Sequence, residues 1–512
     1  MSCLRPHRIL PFPFLLLFPM AHRSVLRGAS LALLAALPLC AACALPASLA
    51  AQDSLTLREA ITMAQERGLA GSAARNARAA AHWRERAFSA RRLPQLSLSG
   101  QLPAYNRAIV PVQQPGGETQ FRPQSQTMSS LNLQLTQVVP WTGGNVFLSS
   151  ELTRVDQNGS GLGRLWQSTP FVIGIQQGLF RPNDLAWDGR EQSLDNEIAE
   201  RQYLEAREDV AIATASAFFD LYAARLTLAN ATSNVAVNDT LYTLSKGRYE
   251  VGKIGENDLL QSELALLRAR TSLDGARLDY SRAMAALQLL LKVPVDSSFA
   301  IAAPVDVPVM QVDTAIAVAE ALRNRSQMAG FDLQKLQADR RVNEARLSSG
   351  FGATITATAG FNQTAPFLND AYQSLLDQQA LTVNVSMPLV QWGARHADIE
   401  AARADLRRVA NTTEESRQQA AQEAHFAALE FTQAARILEI SAKADTVGSK
   451  RFEVAKNRYV IGKIGISDLY IAQSEKDSAL QSYVQALRGY WLSYYRLRRL
   501  TLYDFAEGQR IQ

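Results

Sequence analysis

The chain has 512 residues, with 53 Lys+Arg against 48 Asp+Glu, and three cysteines. Four of the basic residues (Arg5, Arg8, Arg23, Arg27) and all the cysteines (Cys3, Cys40, Cys43) fall within residues 1–50, which hold no acid. The remainder is nearly neutral and free of thiols. That excludes a disulfide framework, a thiolate zinc site and a cysteine nucleophile, while 47% hydrophobic content excludes a disordered chain.

Residues 20–50 combine a basic start, an apolar run from Ala29 to Leu39 and small residues up to Ala50. This is the pattern of an export signal, with cleavage after Ala50 and Met20 as the alternative start to Met1. A lipoprotein modified at Cys40 or Cys43 is the competing reading, but neither Leu37-Pro38-Leu39 nor Cys40-Ala41-Ala42 makes a good lipobox. Beyond residue 50 no apolar run reaches the ~18 residues of a membrane-spanning helix.

Amphipathic spacing predicts a helix near Leu57–Arg67, a second over 72–92, and a strand from Leu93. Several segments alternate with period 2, so each has one apolar and one polar face. Leu96 and Leu98 alternate with serines, and Leu131, Leu133 and Leu135 with Asn132, Gln134 and Thr136. Phe171, Ile173 and Ile175 share a face, as do Ile355, Ala357 and Ala359, and Leu381, Val383 and Val385. Such a sheet could be half-buried on a soluble core. Polar faces made of Thr, Asn, Gln and Ser, rather than Lys and Glu, favour a wet barrel lumen. One chain offers too few strands to close a barrel, so closure requires several copies.

Residues 186–250 and 395–460 lack proline and predict helices that reach roughly 100 Å if continuous. Returning helices are predicted over Asn257–Leu291 and Ser467–Leu500, with shorter ones over 314–325 and 326–348. Between the long and returning helices stands Arg248-Tyr249-Glu250-Val251-Gly252-Lys253-Ile254-Gly255. It recurs 210 residues later as Arg458-Tyr459-Val460-Ile461-Gly462-Lys463-Ile464-Gly465. Glycine is expected where a chain leaves a helix, and Asn257 and Asp258, or Ser467 and Asp468, are expected to cap the returning helix. The halves also begin alike, at an offset of about 258, so the first carries 48 extra residues. The organisation read from this is a signal (1–50), a first repeat (51–300) and a second repeat (301–512).

In order and duplication these elements resemble the TolC-like outer-membrane efflux protein family over residues 55–505. Pro388-Leu389-Val390-Gln391-Trp392-Gly393-Ala394-Arg395 is similar to that family's junction between strand and long helix, with Gln177-Gly178-Leu179-Phe180 as a weaker counterpart. The resemblance implies a mainly α fold with a membrane β part: an α-helical tunnel plus a transmembrane β-barrel shared by a homotrimer. It implies periplasmic tips at Tyr249, Gly252, Lys253 and Gly255, and at Tyr459, Gly462, Lys463 and Gly465, that contact an adaptor protein and an inner-membrane pump of RND, ABC or similar type. Family members can carry two acids three apart near the second tip. Here Asp468 matches the first and Ile471 occupies the second, so Asp468, with Asp258, is the aperture candidate. The usual first half has two strands, and the extra residues predict an added hairpin over roughly 130–139 and 144–155. It either widens the barrel or lies outside it.

His82, His396 and His425 lack metal spacing, and no phosphate loop, dinucleotide fingerprint or nucleophile elbow is present beyond the signal. Arginines are mixed with acids, which argues against nucleic-acid binding. No enzyme and no cofactor is expected. The expected function is an outer-membrane channel-tunnel, in contact with outer-membrane lipid, that conducts small molecules out of a diderm cell. A type I protein secretion outlet and a periplasmic coiled-coil adaptor or scaffold are the alternatives.

Overall fold

A computed structural model of the chain describes residues 54–113, 116–157, 163–294, 299–302 and 310–511. The expected export signal lies outside them. Eight helices and a six-stranded sheet organise the described residues.

Helix α1 (Leu57–Arg67) opens on a capping box, Thr56 with Glu59, and α2 (Leu69–Arg91) follows at once. The two box residues satisfy backbone N–H groups that a helix start leaves free. Four strands come next: β1 (Gln95–Gln113), β2 (Thr119–Val139), β3 (Gly144–Gln157) and β4 (Arg164–Leu179). Helix α3 (Asp184–Glu250) and its return α4 (Glu256–Leu291) complete the first half. The second half runs α5 (Thr314–Asn324), α6 (Ser326–Ser348), β5 (Gly352–Ala365), β6 (Leu376–Ser386), α7 (Ala394–Val460) and α8 (Ile466–Thr501). A small hairpin, β7 (Tyr503–Asp504) and β8 (Gln509–Arg510), ends the chain.

Element boundaries in the two halves keep step. Helices α3 and α7 have 67 residues each, and α4 and α8 have 36 each. All four boundaries of one pair lie 210 positions from those of the other. Helices α1 and α2 and the start of β1 lie 257 positions before α5, α6 and the start of β5. The excess falls between β1 and β4, where β2 and β3 form the expected extra hairpin. It turns at Pro140–Gly143, and it belongs to the sheet rather than standing apart from it.

The sheet is an antiparallel meander in the order β1-β2-β3-β4-β5-β6. Hairpin β1–β2 continues beyond the end of β3, because β3 pairs with β2 only from Gln126 onward. Helices α2 and α6 feed β1 and β5, while β4 and β6 feed α3 and α7. Nearest the sheet, α2, α3, α6 and α7 pack side by side; farther away, α4, α3, α8 and α7 do. At ~1.5 Å per residue α3 and α7 each run about 100 Å. No helix among the described residues is long and apolar enough to cross a membrane.

The main core sits where α1, α3, α5, α7 and α8 converge. Phe218, Phe219, Phe431, Leu487 and Tyr490 are fully buried there, and Trp491 stacks on Phe219. Burying each large apolar side chain contributes roughly 1.5–3 kcal/mol. Leu55 bridges Ile301 beside this core, tying the segment before α1 to the segment after α4. Burial pushes the Glu208 carboxyl above the ordinary carboxylate range, against the pull of Arg498. Arg498 grips Glu208 through Nε and Nη2 (3.1 and 3.3 Å) and Asp504 through Nη1 (2.7 Å), which locks the terminal hairpin to α3 and α8.

Candidate functional site

The candidate site is a wall with two unlike faces and, at the far end of the helices, a pair of tips. Strand pairing decides which side chains share a face. Leu98 stands opposite Leu133, Leu135 opposite Leu148, Leu148 opposite Ile173, Ile173 opposite Ala359, and Ala357 opposite Leu381. Each such pair lies on one side of the sheet, so the apolar residues of all six strands form one continuous face. They are uncovered: Leu98 is 68% exposed and Leu381 72%. Asn132, Gln134, Thr136, Gln176, Thr356 and Asn384 lie on the other face. Phe147 is an aromatic exception there, and Gly174 opposite leaves it room, since a Cβ at Gly174 would come within 2.3 Å of the ring.

The apolar face has rims. On β4 it runs from Ile175 to Trp166, interrupted at Ser168, which the 370–372 turn buries; at ~3.3 Å per residue and a tilt of ~40° that is about 23 Å high. That matches the ~25 Å apolar band of a transmembrane barrel. At one rim Arg154 lies 5.5 Å over the Trp166 ring. At the helix-side rim Phe180 meets Phe351 edge-on at 5.4 Å, and Trp141 and Trp392 stand out at 82% and 96% exposure. Aromatic side chains at both rims match the interfacial girdles of a membrane barrel.

The tips close by the same backbone bonds. Gly252 N–H donates to the Tyr249 carbonyl and Lys253 N–H to that of Arg248 (both 2.8 Å). Gly462 and Lys463 repeat this onto Tyr459 and Arg458 (both 2.9 Å). Gly252 and Gly462 have φ of +71° and +75°, a conformation that glycine adopts without steric cost. The expected side-chain caps at Asn257, Asp258, Ser467 and Asp468 do not form. Gly255 and Gly465 take the cap positions in extended conformation, with no side-chain cap bond. This sets Asp258 and Asp468 inside the first turn, where a carboxylate still complements the positive helix end.

The predicted tip residues separate into two environments. Gly252, Lys253, Gly255, Gly462, Lys463, Gly465 and Asp468 are exposed, and Tyr249 is 41% exposed. Tyr459 is buried at 4% in a small core with Leu241, Phe452, Ile466 and Leu469. Arg248 lies 5.1 Å over the Tyr459 ring and donates to the carbonyls of Tyr459 (3.3 Å) and Val460 (3.0 Å). Ser245 Oγ meets the Tyr459 hydroxyl at 3.1 Å. One half's tip is thereby fastened to the other's. Asp258 joins Arg248, Lys253 and Tyr459 around a cavity of about 390 Å³ between the tips, whereas Asp468 stands outside its lining. Sequence reading missed Arg248 and Ser245 as tip residues. The two Arg-Tyr pairs in the repeated motif were the available signal for Arg248, and Ser245 had none.

Farther up the helices, the Asp477 carboxylate accepts from Asn230 (2.7 Å) and Asn234 (2.9 Å), and Lys476 donates to Asn230 (2.8 Å). Burial pushes the nearby Tyr470 hydroxyl up to about 12. Among the described residues no group of three His, Cys, Asp or Glu is placed to hold a metal ion.

Residues 145–291 and 317–501 match the model of the outer membrane efflux protein family. No curated protein matches the sequence. Among solved structures, the fold is similar to the CmeC outer membrane channel of Campylobacter jejuni, with 15% identity, TM-score 0.63 and coverage of 89% of this chain and 87% of that one. VceC of Vibrio cholerae gives 15%, 0.61, 89% and 97%. The open state of the MtrE channel of Neisseria gonorrhoeae gives 15%, 0.60, 87% and 88%.

Proposed function

This chain belongs to the outer membrane efflux protein family and resides in the outer membrane, and from that premise we propose how it serves as an efflux channel. Three copies close one barrel from their sheets and one tunnel from their helices. The apolar face meets lipid and the Thr/Asn/Gln face lines water. Passage is passive. The tips receive a periplasmic adaptor at Tyr249, Gly252, Lys253, Gly255, Gly462, Lys463 and Gly465, and an inner-membrane pump supplies the energy. Tyr459 holds the closed arrangement. Asp468, exposed at the start of α8, rings the aperture, with Asp258 behind it.

The observation that carries this reading is the continuous, uncovered apolar face feeding directly into helices about 100 Å long. A water-soluble sheet would cover that face, and an adaptor has no use for it. Residues 51–300 and 301–512 are a duplicated unit, which the matched helix lengths support. Small molecules are the cargo; export of proteins through a type I system is the second reading.

Deleting the gene should raise intracellular accumulation of drugs or toxic compounds and leave the secreted proteins unchanged. Loss of one secreted protein with unaltered drug accumulation would replace efflux by protein secretion. A detergent-free soluble monomer would remove the channel altogether. For the aperture, Asp468→Ala should lower cation block and change single-channel conductance, and unaltered values would remove Asp468 from that role.

A further inference from the structure

The width of the sheet differs from what its connections to the helices require, and the difference has a consequence for transport. Only four strand ends join helices: β1, β4, β5 and β6. Strands β2 and β3 join none; they turn back at Pro140–Gly143 on the helix side. They are also the strands without a counterpart in the second half, since the offset changes from 257 to 210 across them.

Even so they are part of the wall. Residues Gln126–Val139 of β2 pair along the whole of β3, and β3 pairs with β4 from Asn145 to Asp156 around one bulge. Their apolar residues Leu131, Leu133, Leu135 and Leu148 continue the lipid-side face in register, and Asn132 and Gln134 continue the polar one. A hairpin folded away from the wall would need neither face matched to its neighbours.

Packed helices stand 8–10 Å apart, so the four abreast beneath the sheet cover roughly 32–40 Å. Strands 4.8 Å apart and tilted ~40° cover about 6.3 Å each. Four strands would span about 25 Å, and six span about 38 Å. With the inserted pair, the sheet's width falls within that of the helix layer.

We infer that β2 and β3 widen the outer-membrane part of this channel to eighteen strands, making it a water-filled conduit that admits helical peptides as well as small solutes. The inference rests on the trimeric reading above. Eighteen strands give a barrel about 36 Å across between backbones, and twelve give about 24 Å. Side chains take ~5 Å from each side, leaving about 26 Å against about 14 Å. A helical peptide is 10–12 Å across, so it passes the wider lumen with water around it. The lumen face is lined largely by neutral amides and hydroxyls, with the exposed Glu151 of β3 adding a carboxylate opposite Asn132. Size selection then falls to the tips, a ring of Glu151 favours cations within the barrel, and the barrel is open to peptide-sized cargo.

Cryo-electron microscopy of the full-length protein in lipid nanodiscs counts the strands directly. A threefold particle with eighteen wall strands is expected. A threefold particle with twelve, and residues 126–157 off the wall, overturns the inference and leaves the trimeric channel intact. A particle without threefold symmetry overturns both. As a second measurement, polyethylene glycols are added to the extracellular side of reconstituted channels. Polymers of about 10 Å hydrodynamic radius should enter and depress conductance, given a lumen about 26 Å across. A cut-off near 7 Å, half the narrower lumen, refutes the wide barrel.

Discussion

Replacing Arg248 by alanine removes the contact that fastens the two tips. The guanidinium stacks on Tyr459 at 5.1 Å and bonds two carbonyls at the end of α7, at 3.3 and 3.0 Å. A partly exposed cation–ring contact contributes roughly 0.5–1 kcal/mol. Charge-assisted bonds to carbonyls add about 1–2 kcal/mol once solvent competition is allowed for. The closed arrangement should therefore lose about 1.5–3 kcal/mol relative to any state in which α3 and α7 have parted. That shifts the closed-to-open ratio by roughly tenfold to a hundredfold. Single-channel recording in planar bilayers reads this as longer or larger openings. Tyr459→Phe removes only the hydroxyl contact to Ser245, so its effect should be smaller, near 1 kcal/mol or about fivefold. Arg248→Lys keeps the charge but loses the planar fork, and should fall between the two. If Arg248→Ala assembles normally yet gates like the parent, the tip contact does not hold the channel shut and the reasoning fails.

Three further outcomes follow from the same geometry. Leu133→Arg puts a charge in the middle of the apolar face and should cost roughly 2–4 kcal/mol, seen as lost insertion into the outer membrane, while Gln134→Arg on the polar face should insert; equal insertion would mean that the apolar face does not meet lipid. Glu208→Ala leaves Arg498 buried with Asp504 as its remaining carboxylate, so unfolding should be easier by roughly 2–4 kcal/mol, and adding Arg498→Met should recover part of that; no change in thermal stability would show the cluster to be dispensable. Burial pushes Tyr470, Tyr490 and Tyr494 up to about 12, whereas in the unfolded chain they ionise near 10. The folded chain keeps protons that the unfolded chain releases, so stability should hold below about pH 9 and fall as pH rises from about 10 to 12, by at most ~1.4 kcal/mol per unit for each tyrosine. Thermal melts against pH test the fall, and a folded protein whose tyrosines all titrate near 10 by absorbance would contradict it.

Much of this molecule could be read from sequence because its structure is written in local periods. Alternation at Leu131–Thr136 and Leu381–Met387 fixes two-faced strands, and uninterrupted helical spacing from 186 to 250 fixes a long helix; neither depends on distant contacts. Glycines 252 and 462 mark helix ends because the backbone there needs positive φ. The caps fall elsewhere than expected because a polar residue in the first turn and one at the cap position look alike in sequence; the conformation of Gly255 and Gly465 separates them. Other features depend on pairing between distant segments. Strand register, which no local period encodes, gathers Leu98, Leu133, Leu148, Ile173 and Leu381 on one side, and it sets β2 and β3 inside the wall. Likewise, two Arg-Tyr pairs equal in sequence end unlike in space. Packing of α3 against α8, with Arg248 reaching over to the end of α7, buries Tyr459 and leaves Tyr249 outside. Sequence alone determined the nearly neutral, thiol-free composition beyond residue 50, the elements and the recurring Arg-Tyr-x-x-Gly-Lys-Ile-Gly motif. Tertiary structure decided which faces join and which tip holds the other, because those depend on contacts across some 200 residues of chain.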